Sequence, residues 1–184
     1  MPRIATVTTS EATPKAQVLL GAVEKKLGMI PNLIRTFGRS EATLEAYLNL
    51  SGALAGGKLS AQEREIVALA VAEANDCAYC LAAHSAIGKA VGLGREQILD
   101  ARRGTLSDRR QEALATLARQ ITDSRGHLAD EQLDAARRAG LHDEDILEVV
   151  GNVTLNILTN YTNHIAATVV DFPAAEPLEA IAAR

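Results

Sequence analysis

The sequence predicts an all-α protein, and three observations carry that expectation. Ala and Leu dominate a chain in which aromatic residues make up only 3% and Trp is absent, so the core is built from small and straight-chain helix formers. Apolar residues recur at helical rather than alternating spacing, and β-branched runs are scarce. Cap-type residues precede these runs and glycines close them. With 184 residues, 47% of them hydrophobic and 23% charged, the chain has the composition of one globular domain spanning 1–184.

Residues 1–12 show no helical period and read as an extended N-terminal arm. Thr13 before Pro14 combines a cap with an N1 proline, and Ala16, Leu19, Leu20, Val23 and Leu27 then repeat at helical spacing up to Gly28. A helix over 14–27 follows. Pro31 opens a short segment over 32–37, and Ser40 caps a helix over 41–55 that Gly56-Gly57 ends. Ser60 with Glu63 forms a capping box for a helix to about Ala74, with Ile66, Val67, Leu69, Ala70 and Val71 as its buried stripe. Asn75-Asp76 interrupts, and Asp76 is expected to cap the next helix, with Cys77 at N1 and Cys80 at N4, ending at Gly92.

Downstream, a short helix covers 94–103 and Ser107 caps another over 108–122. A helix from Asp130 reaches Gly140. His142-Asp143-Glu144 begins a long helix expected to run as far as Val170, where Asp171-Phe172-Pro173 stops it. An Ala-rich tail, 174–184, ends the chain. The long helix carries Asn152, Asn156, Asn160 and His164 at i+4 steps, with Asn163 adjacent. This polar stripe on an apolar helix has to meet solvent, a subunit interface or the thiol pocket. His127 and His142 sit beside loop and cap signals and are expected at the surface.

Composition also excludes partners. A net charge of -4, with no isolated cluster of Lys and Arg, provides no electrostatic footprint for nucleic acid. No apolar h-region opens the chain and no run of about 18 apolar residues occurs, so a cytoplasmic protein without membrane contact is expected. In that compartment, thiols three residues apart point to redox or metal chemistry rather than to a structural staple.

Both cysteines and one of the four histidines lie within Asp76-Cys77-Ala78-Tyr79-Cys80-Leu81-Ala82-Ala83-His84. At helical pitch, positions 77, 80 and 84 fall within roughly a 60° arc, so the sulfurs and the imidazole share one face. Lowering a thiol pKa from about 8.5 to about 6 raises the thiolate fraction at neutral pH roughly thirtyfold. The helix N-terminus favours that drop at Cys77, while His84, one turn on from Cys80, favours it at Cys80. For attack on a peroxide Cys80 is preferred, because O–O cleavage needs an adjacent base and proton donor. Cys77, nearer the helix start and expected to be more accessible, would resolve the sulfenic acid.

Glu65, Cys77-x-x-Cys80 and His84 together resemble the active-site motif of the alkylhydroperoxidase AhpD-like proteins in the carboxymuconolactone decarboxylase superfamily. Gly28-Met29-Ile30-Pro31-Asn32, the run from Leu59 to Glu65, Asn160-Tyr161-Thr162-Asn163-His164 and Asp171-Phe172-Pro173 resemble its peroxidase-related branch. The resemblance implies an AhpD-like bundle of roughly eight helices assembled as a homo-oligomer, a trimer or hexamer, with thiol-dependent peroxidase activity and no bound cofactor. It implies that Cys80 is the peroxidatic thiol, Cys77 the resolving one, His84 the base, and Glu65 an acid that orients or relays. Tyr79 stands where some members place a second His, which shortens any relay. Tyr79, Asn160 and His164 are possible supporting residues.

The expected partners are a peroxide substrate and an external dithiol reductant, lipoyl or thioredoxin-like. Three alternatives remain open: zinc held by Cys77, Cys80, His84 and Glu65; a redox-sensing oligomer; and decarboxylase chemistry on a lactone acid. No metal is the preferred expectation, because structural zinc sites usually draw on a second Cys/His cluster and none is present.

Overall fold

Nine α-helices account for most of residues 1–178, the residues that the computed structural model describes. They are α1 (Pro14–Leu27), α2 (Asn32–Phe37), α3 (Glu41–Ala55), α4 (Ala61–Ala74), α5 (Ala78–Ala90), α6 (Arg95–Arg103), α7 (Arg109–Ser124), α8 (Asp130–Arg138) and α9 (Asp143–Ala166). The all-α expectation holds, with nine helices where the sequence indicated roughly eight. The cap residues act as read at three starts: Thr13, Ser40 and Ser60 each accept a backbone N–H of the first turn through their side chains.

α4 is the central element, packed against α5, α6, α7 and α9. One side of it completes an apolar core in which Ile66, Val67 and Leu69 meet Ile98 of α6, Leu114 and Leu117 of α7, and Val149 and Val153 of α9. The other core gathers the N-terminal arm, α1, α2 and the start of α5. There Leu20, Ile34, Phe37 and Leu44 of α3 belong to one buried cluster with Cys77, Tyr79 and Cys80.

Several boundaries differ from the expectation for physical reasons. The arm is not free: Thr9–Glu11 forms a 3-10 turn, and Val7 is buried against the α1 and α2 core. Asp108 rather than Ser107 caps α7, accepting the Gln111 N–H at 2.9 Å. α9 stops at Ala166, where Ala167 turns left-handed, four residues before the expected end. The tail is described to residue 178; Glu176 pairs with Arg95, and its carbonyl accepts from Arg102. The rest of the expected tail, 179–184, lies outside the described residues. No helix among the described residues is long and apolar enough to cross a membrane.

Candidate functional site

The site begins at the junction of α4 and α5, where two helices share one turn. Asp76 takes a left-handed conformation at φ 50°, which Asp tolerates better than most residues. The Asp76 N–H donates to the Glu73 carbonyl and the Cys77 N–H to the Ala72 carbonyl, sealing the end of α4. Asp76 is therefore the residue that closes α4, and not the cap of α5. That role falls to Cys77, whose sulfur accepts the Cys80 N–H at 3.3 Å. The three residues between the helices are thus all engaged, Asn75 and Asp76 in closing α4 and Cys77 in capping α5. Cys77 sits at N-cap and Cys80 at N3, each one position earlier than the sequence indicated.

Cys77 and Cys80 are joined as a disulfide, with Cα atoms 5.3 Å apart. Cys77 is 1% exposed and Cys80 2%, so the expected greater access to Cys77 is not found. The seal that makes Cys77 a cap also buries it beneath the arm-side core. Cys80 has a second polar contact, because the Asn163 amide of α9 donates to its sulfur at 3.3 Å. Asn163 is itself buried, and its Oδ1 has no partner among the described residues.

His84 lies one turn further along α5 and bonds through Nδ1 to Glu65 Oε2 of α4 at 2.8 Å. A carboxylate only accepts, so the ring proton sits on Nδ1 and Nε2 is the nitrogen free to take another. Both side chains keep some solvent contact, at 20% and 15% exposure. The dyad forms the wetted edge of an otherwise dry centre. No hydrogen bond joins the ring to either sulfur among the described residues, in contrast to the direct Cys80 contact that the i, i+4 spacing allowed. Tyr47 of α3, its ring tilted 36° against that of Phe37 with centroids 5.2 Å apart, borders the same region. Burial, reinforced by the charge of Glu65, pushes its phenol up to about 12.

Tyr79 points elsewhere. Its hydroxyl donates to Asp171 Oδ1 at 2.7 Å and accepts the Leu33 N–H at 3.2 Å, while its ring meets Phe172 edge-on. Asp171 also accepts the Asn32 N–H at 2.8 Å. Tyr79 thereby fastens α5 to the start of α2 and to the segment after α9. Burial is the main reason that its phenol is held far above the ordinary range, with the Asp171 carboxylate adding to it.

Asn160 is fully buried, and its Oδ1 accepts from Asn75 Nδ2 at 3.0 Å, bracing the turn before Cys77. Asn152 and Asn156 donate to carbonyls one turn back on α9. The stripe thus lies inside the subunit, while His164 is exposed and away from the sulfurs. His127 and His142 are exposed as expected. Asn163 is the residue that the sequence reading named only as a neighbour of the stripe. Among the described residues no group of three or more His, Cys, Asp or Glu side chains is placed to hold a metal ion.

A separate cavity of about 370 Å³ lies beside Ala78, Leu81 and Ala82, lined also by Phe172 and Ala175. These α5 positions lie roughly a third of a turn from the sulfur-bearing face, so the cavity does not open over the disulfide.

Residues 41–122, which include Glu65, both cysteines and His84, match the carboxymuconolactone decarboxylase family. No curated protein matches the chain. Solved structures with the same fold include an alkylhydroperoxidase AhpD core, an uncharacterized peroxidase-related protein from Ralstonia eutropha JMP134. It aligns with a TM-score of 0.83 and 22% identity over 92% of each chain. An uncharacterized peroxidase-related protein from Silicibacter sp. TM1040 aligns with a TM-score of 0.77 and 23% identity, over 91% of this chain and 92% of that one. The debrominase Bmp8, in complex with 2,3,4-tribromopyrrole, aligns with a TM-score of 0.78 and 21% identity, over 92% of this chain and 91% of that one. At these identities the likeness is one of fold.

Proposed function

From the match of residues 41–122 to the carboxymuconolactone decarboxylase family, we propose a thiol-dependent peroxidase of the AhpD-like type, turned over by an external dithiol. One observation carries this: a Cys77–Cys80 disulfide shares a buried nest with a His84–Glu65 dyad that reaches solvent. In the dithiol form, the Cys80 thiolate attacks the terminal peroxide oxygen. The O–O bond breaks, the alkoxide takes a proton relayed by His84, and Cys80 becomes a sulfenic acid. Cys77 then displaces water to restore the disulfide. A lipoyl or thioredoxin-like dithiol returns two electrons by exchange, leaving as its own disulfide.

Glu65 fixes the ring tautomer, and Nε2 handles the proton. With no hydrogen bond from ring to sulfur, the proton travels through substrate or one water. The burial of both sulfurs selects small or apolar peroxides that can enter the core, and it requires the arm-side packing to yield before a protein dithiol can reach Cys77.

A second reading takes the same two electrons to a carbon–halogen bond, as the fold shared with a debrominase suggests. The apolar residues that share the core with the sulfurs, Ile34, Phe37 and Leu44, favour it, since a halogenated ring suits apolar surroundings better than hydrogen peroxide does. The balance would be one aryl bromide and two thiols giving arene, bromide, a proton and the disulfide.

Copies of the chain are proposed to associate through α9. Leu147, Val150, Tyr161 and Ile165 are exposed and lie within roughly 60° of arc on one face of that helix. The test of function is consumption of hydrogen peroxide, tert-butyl hydroperoxide and a polybrominated pyrrole by reduced protein with a dithiol present. Turnover of a peroxide supports the first reading. Bromide release without peroxide turnover replaces it with the second, and neither activity overturns both.

A further inference from the structure

The two sulfurs are partnered differently. Cys77 accepts a backbone N–H of its own helix, whereas Cys80 accepts a side-chain N–H from a helix 83 residues away in sequence. His84, the expected partner of Cys80, is held by Glu65 instead. Asn163 is therefore the polar side chain in direct contact with the Cys80 sulfur, and it is only 4% exposed. Its other end is unusual. A buried amide oxygen ordinarily has a hydrogen-bond donor, and Asn163 Oδ1 has none among the described residues.

We infer that Asn163 is a catalytic residue at Cys80, with its N–H stabilising the anionic sulfur and its unpartnered Oδ1 accepting the hydroxyl of the Cys80 sulfenic acid. The first role follows from the hydrogen bond itself. When an incoming thiolate attacks Cys77, the S–S bond breaks and its electron pair remains on Cys80, where a donor already waits. Charge-assisted bonds of this kind are stronger than neutral ones, so the contact strengthens as the bond breaks. The second role explains the orphaned oxygen. Neither the disulfide nor the thiolate offers a donor, whereas S–O–H does, so the amide is fully satisfied only in that intermediate. The sulfenic acid role rests on the peroxidase reading; the thiolate role does not.

The test uses full-length protein with Cys77→Ser, which leaves Cys80 as the single thiol. Its titration is followed by ultraviolet thiolate absorbance, alone and combined with Asn163→Leu or Asn163→Ser, with thermal melts to select variants that fold. Asn156→Leu serves as a control on the same helix. Both Asn163 variants are expected to shift the Cys80 titration upward by about one pH unit, a tenfold change in the ionisation constant of the thiol. The control should not move it. After one equivalent of peroxide, dimedone trapping should show the sulfenic acid decaying several-fold faster without Asn163. Unchanged Cys80 titration in a folded Asn163 variant overturns the inference. A shifted titration in a protein that consumes no peroxide leaves the thiolate role standing and removes the proposed function together with the sulfenic acid role.

Discussion

The two cores that meet at α4 are built on opposite principles. The core shared with α6, α7 and α9 is apolar through its centre, with Leu69, Leu114, Leu117, Val149 and Val153 all at 1% exposure or less. The thiol-bearing core is dry at the sulfurs but wetter at its edge and stitched with polar pairs: Tyr79 with Asp171, Asn75 with Asn160, Asn163 with Cys80, and His84 with Glu65. Dispersion and burial stabilise the first and tolerate hydrophobic swaps of similar volume. The second depends on directional bonds, where loss of one partner strands the other. A stable frame is thus separated from a chemically exact interior, and the same helix serves both.

Substitutions on each side should separate these roles. The largest effect is expected from Cys80→Ser, which should abolish peroxide consumption to the background rate while leaving the melting temperature of the reduced protein nearly unchanged. Cys77→Ser should also stop turnover but leave a dimedone-reactive sulfenic acid at Cys80. If the trapped sulfur is found instead at Cys77 in the Cys80 variant, the assigned roles reverse. Next, Glu65→Gln removes the anion that orients His84 and should slow the peroxide step by roughly 10–100-fold, less than the full contribution of a positioned acid–base group because the imidazole itself remains. Stopped-flow oxidation of the dithiol form measures this directly.

On the frame side, Leu117→Ala should cost about 2–5 kcal/mol in denaturant melts, with the rate per folded molecule unaltered. Tyr79→Phe leaves the Leu33 N–H and one Asp171 oxygen without their partner and should cost about 1–3 kcal/mol. A fall in the chemical step larger than the loss of folded protein would instead place Tyr79 in the relay.

The smallest effect concerns pH. The Arg110 guanidinium, bonded to Asp145 at 2.7 Å, holds that carboxyl below its ordinary value of 3.8. A depressed carboxyl favours the folded state above its unfolded pKa and loses that contribution as pH falls through the folded value. Asp145→Asn should therefore lower the melting temperature at neutral pH, and the gap from the parent should close progressively below about pH 4.

Much of this organisation was legible locally. Thr13-Pro14, Ser40 and the Ser60–Glu63 box mark helix starts because each cap is satisfied within four residues. The Cys77, Cys80 and His84 spacing, with Glu65, identified the groups that the fold gathers. What escaped depends on rotation and on distance along the chain. Asn152, Asn156, Asn160 and His164 look like one stripe, yet each i+4 step advances about 40°, so His164 has turned about 120° from Asn152. Asn163 lies only about 20° from Asn152, and it reaches the sulfur while His164 faces solvent. Likewise, no local pattern joins Tyr79 to an aspartate 92 residues on, or shows that Glu65 would hold His84 away from Cys80.

The central claim is that the buried pair stores and releases two electrons. Fully reduced, metal-free protein should be treated with one equivalent of tert-butyl hydroperoxide, with thiols counted and intact mass recorded on the same sample. Loss of both thiols with a mass decrease of two hydrogens is the predicted result, and added dithiol should reverse it. Thiols that persist unchanged, or a mass gain of oxygen without disulfide, would contradict the account.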